Sequence, residues 1–189
     1  MSYLKYDNIY EKVRFALSKK RFQHVVRTSK YAAHLAKLNN YNIIKARIGG
    51  LIHDFAKERT RKDFLLEISK KNLDPDLKKW DNSIWHGIVG AEFIKDELKI
   101  NDKEILNSVR RHTTGDVKMT TLDKIVFMSD FLEPARNFPH INYVRQITDK
   151  SLDKGVGWQL SFSMKSLVEK NRAIYPKTLY AYNHWVGGM

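Results

Sequence analysis

With 189 residues, a mass of 22.2 kDa and 42% hydrophobic residues, the chain is too rich in core-forming side chains for an intrinsically disordered protein, and we expect a single domain spanning residues 1–189. The sequence contains no cysteine, which excludes disulfide bonds, thiol catalysis and cysteine-bound zinc or iron, so any metal must be held by His, Asp or Glu. The 34 Lys and Arg residues exceed the 21 Asp and Glu residues by 13, and this charge attracts polyanions without distinguishing nucleic acids from nucleotides.

The sequence shows no signal for export or membrane insertion. Charged residues occur throughout residues 1–15, where a secretory signal would need an apolar stretch. No later segment approaches the roughly 18 uncharged apolar residues of a membrane-spanning helix. We therefore expect a cytoplasmic protein that makes no membrane contact.

The first half of the chain has the pattern of helices. Proline, the residue that most strongly interrupts helices, is absent before Pro75. Apolar residues recur at helical spacing over residues 22–38 and again over residues 43–57, and Asn42 is suited to cap the second helix.

Further helices are predicted from their capping residues. Residues 60–63 resemble a capping box that begins a short helix, and residues 81–83 offer N-caps to another helix. Residues 101–102 would cap a helix that ends at Gly115, since glycine readily adopts the left-handed conformation.

The second half is expected to contain a central buried helix. Residues 121–133 are apolar on nearly all sides, and Pro134 should end this helix. Residues 139–158 are mixed and polar, and a final helix is expected over residues 159–173. The whole pattern predicts an all-α bundle of about seven to nine helices with little or no strand.

Six ionisable residues occur among apolar neighbours, on five separate predicted helices. A single buried His is usually a hydrogen-bonded core residue, and a buried Asp often caps a helix. A set of such residues that converges from several helices is instead typical of a metal site in a helical bundle. The set comprises His24, His53, Asp54, His86, His112 and Asp130. By contrast, His34, His140 and His184 lack this context and are predicted to be structural or exposed.

The order of these residues resembles the HD phosphohydrolase superfamily, which is named for its adjacent His and Asp. Five segments make the chain similar, more narrowly, to the bacterial YqeK-type symmetrical diadenosine tetraphosphatases. They are IHDFAKE at 52–58, WHG at 85–87, RRHTTG at 110–115, SDFLEPAR at 129–136 and IYPKTLYAYN at 174–183.

This resemblance implies an all-helical HD fold and cleavage of diadenosine tetraphosphate at its middle bridge, in which a hydroxide that bridges two divalent metal ions produces two ADP. It also implies the ligands: His24, His53, Asp54 and Asp130 for one ion, and Asp54, His86 and His112 for the other. Iron is the metal that the resemblance implies. The mixed imidazole and carboxylate set suits manganese, cobalt or zinc as well.

Two cationic residues near the ligands are predicted to act with Asp54 in catalysis. Lys57, three residues after Asp54 and on nearly the same face of the predicted helix, would neutralise a phosphate oxygen. Arg136, after the helix-ending Pro134, could bind phosphate through two nitrogens. Both residues are also expected to bind substrate, together with Arg27, Thr113, Thr114, Gly115 and Tyr175.

Other functions remain open at this point. An HD-type site could act on a nucleoside monophosphate, a guanosine alarmone or a cyclic dinucleotide. The basic surface could bind RNA, although the sequence has no recognisable RNA-binding signature. A homodimer also remains open.

Overall fold

The computed structural model describes residues 3–188, with side chains from residue 6 onward. This part of the chain contains eleven α-helices, one short 3-10 helix and no strand. The helices are α1 (Tyr3–Ala16), α2 (Lys19–Leu38), α3 (Ile43–Ile52), α4 (Arg61–Lys70), α5 (Asn82–Ile88), α6 (Gly90–Glu97), α7 (Lys103–Arg111), α8 (Thr121–Leu132), α9 (Ile141–Lys150), α10 (Leu152–Glu169) and α11 (Pro176–Trp185), and the 3-10 helix is Pro75–Lys79.

The all-α class is confirmed, and the described part of the chain has more helices than the seven to nine expected. Helices α1 and α9 have no counterpart among the predicted helices, and two predicted helices have other bounds. The helix predicted to follow residues 81–83 is divided at Val89 into α5 and α6. The helix predicted over residues 159–173 is wrong in its bounds, since α10 already begins at Leu152 and α11 follows it. A Cβ atom at Gly155, in the first turn of α10, would collide with Thr148 of α9, so this glycine permits close packing of the two helices.

Most of the predicted caps are confirmed. The side chains of Asn42, Asp81 and Asp102 accept hydrogen bonds from the first turns of α3, α5 and α7. Thr60 and Asp63 form a complete capping box at the start of α4.

Helix α8 occupies the centre of the fold and packs against α2, α3, α7, α9 and α10. Its residues Ile125, Val126, Met128 and Leu132 are fully buried in the hydrophobic core. Helix α3 lies unusually close to α2, because a Cβ atom at Gly50 would lie only 2.9 Å from the Cα atom of Ser29. The C-terminal end of α3 is thereby held against the middle of α2.

A further contact fixes the start of α2 to the segment that follows α3. The backbone N–H of Ser18, the N-cap of α2, donates to Glu58 over 2.7 Å, and its hydroxyl donates to the same carboxylate over 2.6 Å. None of the described helices has the length and apolar character needed to cross a bilayer.

Candidate metal centre and active site

The six predicted ligand residues come together at one point in the molecule, although only some of them lie on helices. His24 is on α2, His86 on α5 and Asp130 on α8. His53 and Asp54 lie just beyond the end of α3, and His112 lies just beyond the end of α7.

Two predicted helix ends are therefore corrected. The helix expected over residues 43–57 ends at Ile52, and α7 ends at Arg111 rather than at Gly115, which does have a positive φ of 64°. Asp54 and Lys57 therefore both lie in the turn after α3 and not on a helix. Lys57 stays near Asp54 because the chain turns tightly there, and the Lys57 N–H donates to the Asp54 carbonyl over 2.9 Å.

One group of ligand atoms forms around His24. Its Nε2 atom lies 3.0 Å from Oδ1 of Asp130 and 3.3 Å from Nε2 of His53. His53 Nε2 is itself 3.6 Å from Oδ1 of Asp130. Donor atoms that share one first-row metal ion at about 2.1 Å are themselves roughly 3 to 4 Å apart, so this spacing fits a metal site.

A second group forms around His86 and His112, whose Nε2 atoms are 3.1 Å apart. Oδ1 of Asp54 lies 3.4 Å from His86 Nε2 and 3.7 Å from His112 Nε2. The other oxygen of Asp54, Oδ2, faces the first group, at 3.5 Å from His53 Nε2 and 3.7 Å from His24 Nε2. Asp54 thus presents one carboxylate oxygen to each group.

Backbone carbonyls orient three of the four imidazoles. Nδ1 of His53 lies 2.8 Å from the Gly50 carbonyl oxygen, and Nδ1 of His112 lies 2.7 Å from that of Val109. Nδ1 of His86 contacts the carbonyl oxygen of Asn82. These rings can each donate their Nδ1–H to the backbone, which leaves the Nε2 lone pair directed at the cluster.

His24 is oriented differently, through a carboxylate that the sequence analysis did not identify. Its Nδ1 atom lies 3.3 Å from Oε1 of Glu133, which is only 3% exposed. Glu133 also accepts hydrogen bonds from Nε of Arg27 at 2.6 Å and from the Ala135 N–H at 2.8 Å. Burial raises the pKa of Glu133, but the hydrogen bonds from Arg27, the Ala135 N–H and His24 together outweigh burial, and the net shift is downward.

The ionisable side chains of the first group shift one another's pKa values. Burial alone would lower the pKa of His53, but Asp54 and Asp130 raise it to about 10. Burial favours the neutral form of both carboxyls, yet His53 beside Asp54, and His24 beside Asp130, hold the pKa of each carboxyl well below its usual range. The two carboxylates therefore need a cation between them, which a divalent ion could supply as well as an imidazolium.

In the second group, by contrast, the pKa of a histidine is lowered. Burial, together with the electrostatic effect of the neighbouring His112 and Lys57 side chains, lowers the pKa of His86 to about 3, so its ring is neutral. Nζ of Lys57 is 3.1 Å from Nε2 of His86, and burial lowers the pKa of this lysine despite the nearby Asp54. A neutral imidazole with an inward-directed lone pair is the form that binds metal, so His86 fits a metal ligand.

Two guanidinium groups contact the carboxylates of the cluster. The sequence analysis predicted Arg136 near the ligands, and its Nη2 atom donates to Oδ1 of Asp130 over 2.9 Å. Arg21 was not identified from the sequence, and its Nη1 donates to Oδ2 of Asp54 over 2.7 Å. Arg21 lies three residues before His24, so one helical turn of α2 brings both to the cluster.

The remaining predicted substrate residues occupy several environments. Thr113 and Tyr175 line a cavity beside the cluster. Thr114 and Gly115 are buried, and the Thr114 hydroxyl donates to the Gly115 carbonyl over 2.9 Å. Arg27 is held by Glu133.

The three histidines set aside in the sequence analysis belong to neither group. His34 is partly exposed and lies 3.0 Å from Oδ1 of Asp149. His140 precedes α9 with a left-handed backbone, and the ring of His184 packs edge-on against Trp185.

The fold and this constellation of side chains agree with the comparisons to known proteins. The family model described as "HD domain" matches residues 21–135, and the chain belongs to this family. HD domain hydrolases bind divalent metals, and two sets of side chains present ligand atoms close enough together to hold a metal, His24 with His53 and Asp130, and His53 with Asp54 and His112.

Relatives make the similarity more specific. The chain is 34% identical to the symmetrical bis(5'-nucleosyl)-tetraphosphatase of Halalkalibacterium halodurans, over 88% of this chain and 89% of the relative. It is 31% identical to the protein of that name from Bacillus subtilis, over 93% and 95% of the two chains. The crystal structure of an HD superfamily hydrolase from Clostridium acetobutylicum, described as involved in NAD metabolism, superposes with a TM-score of 0.91 at 28% identity, covering 97% of this chain and 98% of that one.

Proposed function

We propose that this protein is a metal-dependent hydrolase that cleaves diadenosine tetraphosphate symmetrically into two ADP. The observation that carries the proposal is the position of Asp54, whose two oxygens face two separate groups of imidazoles. The names of relatives that match nearly the whole chain supply the substrate.

In this proposal His24, His53, Asp54 and Asp130 hold one divalent ion, and Asp54, His86 and His112 hold a second. Iron is the metal we propose, on the resemblance of the sequence motifs, and the same donors also suit manganese, cobalt or zinc. When bound, two such ions lower the pKa of a water molecule and stabilise negative charge on the attacking and leaving oxygens of a phosphoryl transfer.

The cationic side chains around the ligands would interact with the phosphates of the substrate. Arg21 and Arg136 donate to carboxylate oxygens of the proposed ligand set, so each lies within one hydrogen bond of the place where a phosphoryl group would meet the ligands. Lys57 reaches the same place from the side of His86. Together they neutralise part of the charge of a polyphosphate and stabilise the charge that develops during cleavage.

The reaction needs no covalent intermediate with the protein. One water molecule adds its oxygen to one of the two central phosphorus atoms, and the bond between that phosphorus and the middle bridging oxygen breaks. The oxygen of water stays on the attacked phosphorus, and the former bridging oxygen becomes a terminal oxygen of the second ADP. The two protons of water go to these new terminal phosphates or to solvent, so one water and one dinucleotide give two ADP.

Product analysis tests this proposal. Metal-loaded protein incubated with diadenosine tetraphosphate should give ADP as the sole nucleotide product, and the Asp54→Ala variant should give none. His34→Ala is the control, because His34 lies outside both groups and should leave the rate unchanged. ATP plus AMP as products would contradict symmetrical cleavage. Turnover only of a nucleoside monophosphate, a guanosine alarmone or a cyclic dinucleotide would keep the site but change its substrate.

A further inference from the structure

The turn that follows α8 carries Arg136 on a stretch of exposed backbone. Pro134 cannot donate an N–H to α8, which ends at Leu132, and the last carbonyls of a helix have no partner within it. Residues 134–137 are all exposed. Arg136 nevertheless reaches back to α8, where its Nε donates to the Asp130 carbonyl over 3.2 Å and its Nη2 to the Asp130 carboxylate. Holding a long side chain of an exposed turn in one place costs conformational entropy, which further contacts must offset.

Arg145 of α9 supplies such contacts to the backbone of this turn. Its Nε donates to the Leu132 carbonyl over 3.2 Å, and its Nη2 donates to the carbonyls of Glu133 over 3.2 Å and of Arg136 over 3.4 Å. One guanidinium thus joins the end of α8 to the backbone of Arg136. A positive charge there also interacts favourably with the dipole of α8, whose C-terminal end is negative.

Helix packing fixes the place from which Arg145 reaches the turn. Val144 and Thr148 are fully buried, and α9 packs against both α8 and α10. The close approach of Gly155 to Thr148 holds α9 against α10. Arg145 follows Val144 directly and is half-buried, so its stem leaves a helix that is itself held in place. Its Nη1 atom also donates to Oδ1 of Asn142, on the same helix, over 3.3 Å.

The two ends of the turn are anchored by other contacts. At its start, Glu133 is buried and accepts hydrogen bonds from Arg27. After it, the ring of Phe138 packs against that of Phe131, with 4.7 Å between the ring centroids. Loss of the Arg145 guanidinium should therefore loosen the middle of the turn and leave the fold intact.

We propose that Arg145 is a positioning residue for the hydrolysis, which holds the backbone of residues 133–136 so that the Arg136 guanidinium stays beside Asp130 and faces the phosphates. This inference rests on the proposed function, in which Arg136 binds phosphate. It adds a residue that acts through Arg136 and lies outside residues 21–135, the part that matches the HD domain. A helix beyond the matched part thereby sets the position of a cation beside the metal ligands.

A double-mutant cycle tests whether Arg145 acts through Arg136. In the metal-loaded protein, Arg145→Gln should lower kcat/KM for diadenosine tetraphosphate about 10- to 100-fold, because a displaced cation stabilises charge poorly. In the Arg136→Ala background the same change should cost less than about twofold, because the group to be positioned is absent. Lys150→Gln removes a charge from the exposed end of α9 and is the control, with wild-type kinetics expected.

The affinity for pyrophosphate, measured by calorimetry on the metal-loaded protein, repeats the cycle without turnover. Arg145→Gln should weaken pyrophosphate binding about tenfold and retain its metal content. Arg145→Lys should bind pyrophosphate with an affinity between those of Arg145→Gln and the wild type, because an ammonium group lacks the planar fork that reaches several carbonyls. Should Arg145→Gln not fold, Arg145→Lys carries the same cycle.

The outcomes separate positioning from a merely structural part. Equal losses from the Arg145 change with and without Arg136 would overturn the proposal, and so would wild-type pyrophosphate affinity in Arg145→Gln. Failure of the wild type to hydrolyse diadenosine tetraphosphate, with the pyrophosphate cycle still showing that the two arginines are coupled, would instead contradict the proposed function alone.

Discussion

Nδ1 of His24 lies 3.3 Å from Oε1 of Glu133, a buried carboxylate at the end of α8. Among the four imidazoles of the cluster, His24 is the one whose outer nitrogen faces a carboxylate instead of a backbone carbonyl. A carboxylate in this position fixes the ring and raises the basicity of the nitrogen that would bind metal.

Replacement of this carboxylate should weaken metal binding at the His24 group. Glu133→Gln keeps the shape of the side chain but removes its charge, and we expect the affinity for metal to fall about 10- to 100-fold. Metal content after dialysis against a graded series of chelator concentrations measures the effect. Glu169→Gln, at the end of α10, is the control and should behave as the wild type. If Glu133→Gln bound metal as tightly as Glu169→Gln, Glu133 would not contribute to metal binding.

Asp54 should be indispensable to both metal positions. Asp54→Ala removes a ligand oxygen from each group, so we expect loss of bound metal together with loss of activity. Elemental analysis of the purified variant gives the metal content directly. Two metal ions per chain in Asp54→Ala would contradict the position assigned to this carboxylate.

Lys57 and Arg136 should affect catalysis without affecting metal content. Because they are placed to stabilise charge on the phosphates, Lys57→Ala and Arg136→Ala should each lower kcat/KM about 10²- to 10³-fold. The measurement is steady-state kinetics on diadenosine tetraphosphate, with metal content determined on the same samples. Wild-type kinetics in either variant would show that its cation does not face the substrate.

The raised pKa of His53 has consequences for pH. With its pKa at about 10 in the metal-free protein, this imidazole is protonated at neutral pH and must lose its proton when metal binds. Metal affinity should therefore rise with pH up to about 10, and each binding event should release protons that calorimetry in buffers of different ionisation enthalpy can count. Metal affinity that stays constant with pH would contradict the prediction.

The same shift predicts how the stability of the metal-free protein changes with pH. An imidazole whose pKa is higher in the folded than in the unfolded state stabilises the fold. This contribution is complete below the unfolded pKa of about 6.5 and is lost as the pH rises through the folded pKa. The free energy of unfolding of metal-free protein should thus decline between pH 6.5 and about 10, and His53→Gln should flatten this decline. Denaturant titrations at several pH values provide the comparison.

Much of the site follows from the sequence because its ligands occur in local patterns. An HD pair within an apolar segment, and Asp130 within a helix that is apolar on nearly all sides, both indicate buried groups that need a partner. The caps at Asn42 and Thr60 are similarly local, since each bonds to a backbone N–H three residues away.

The features that the sequence did not reveal depend on contacts between distant residues. Glu133 is separated from His24 by 109 positions and Arg21 from Asp54 by 33, so neither partnership has a local signal. Helix α10 was misplaced for the same reason. Its Gly155 lowers helix propensity, but packing against Thr148 of α9 outweighs that cost.

Crystals of the metal-loaded protein, measured at an absorption edge of the bound metal, test the central claim most directly. The anomalous map should show two peaks flanking the Asp54 carboxylate, one within about 2.0 to 2.3 Å of ligand atoms of His24, His53 and Asp130, and one equally close to His86 and His112. A map with no peak beside Asp54, or with metal only outside these side chains, would contradict the account.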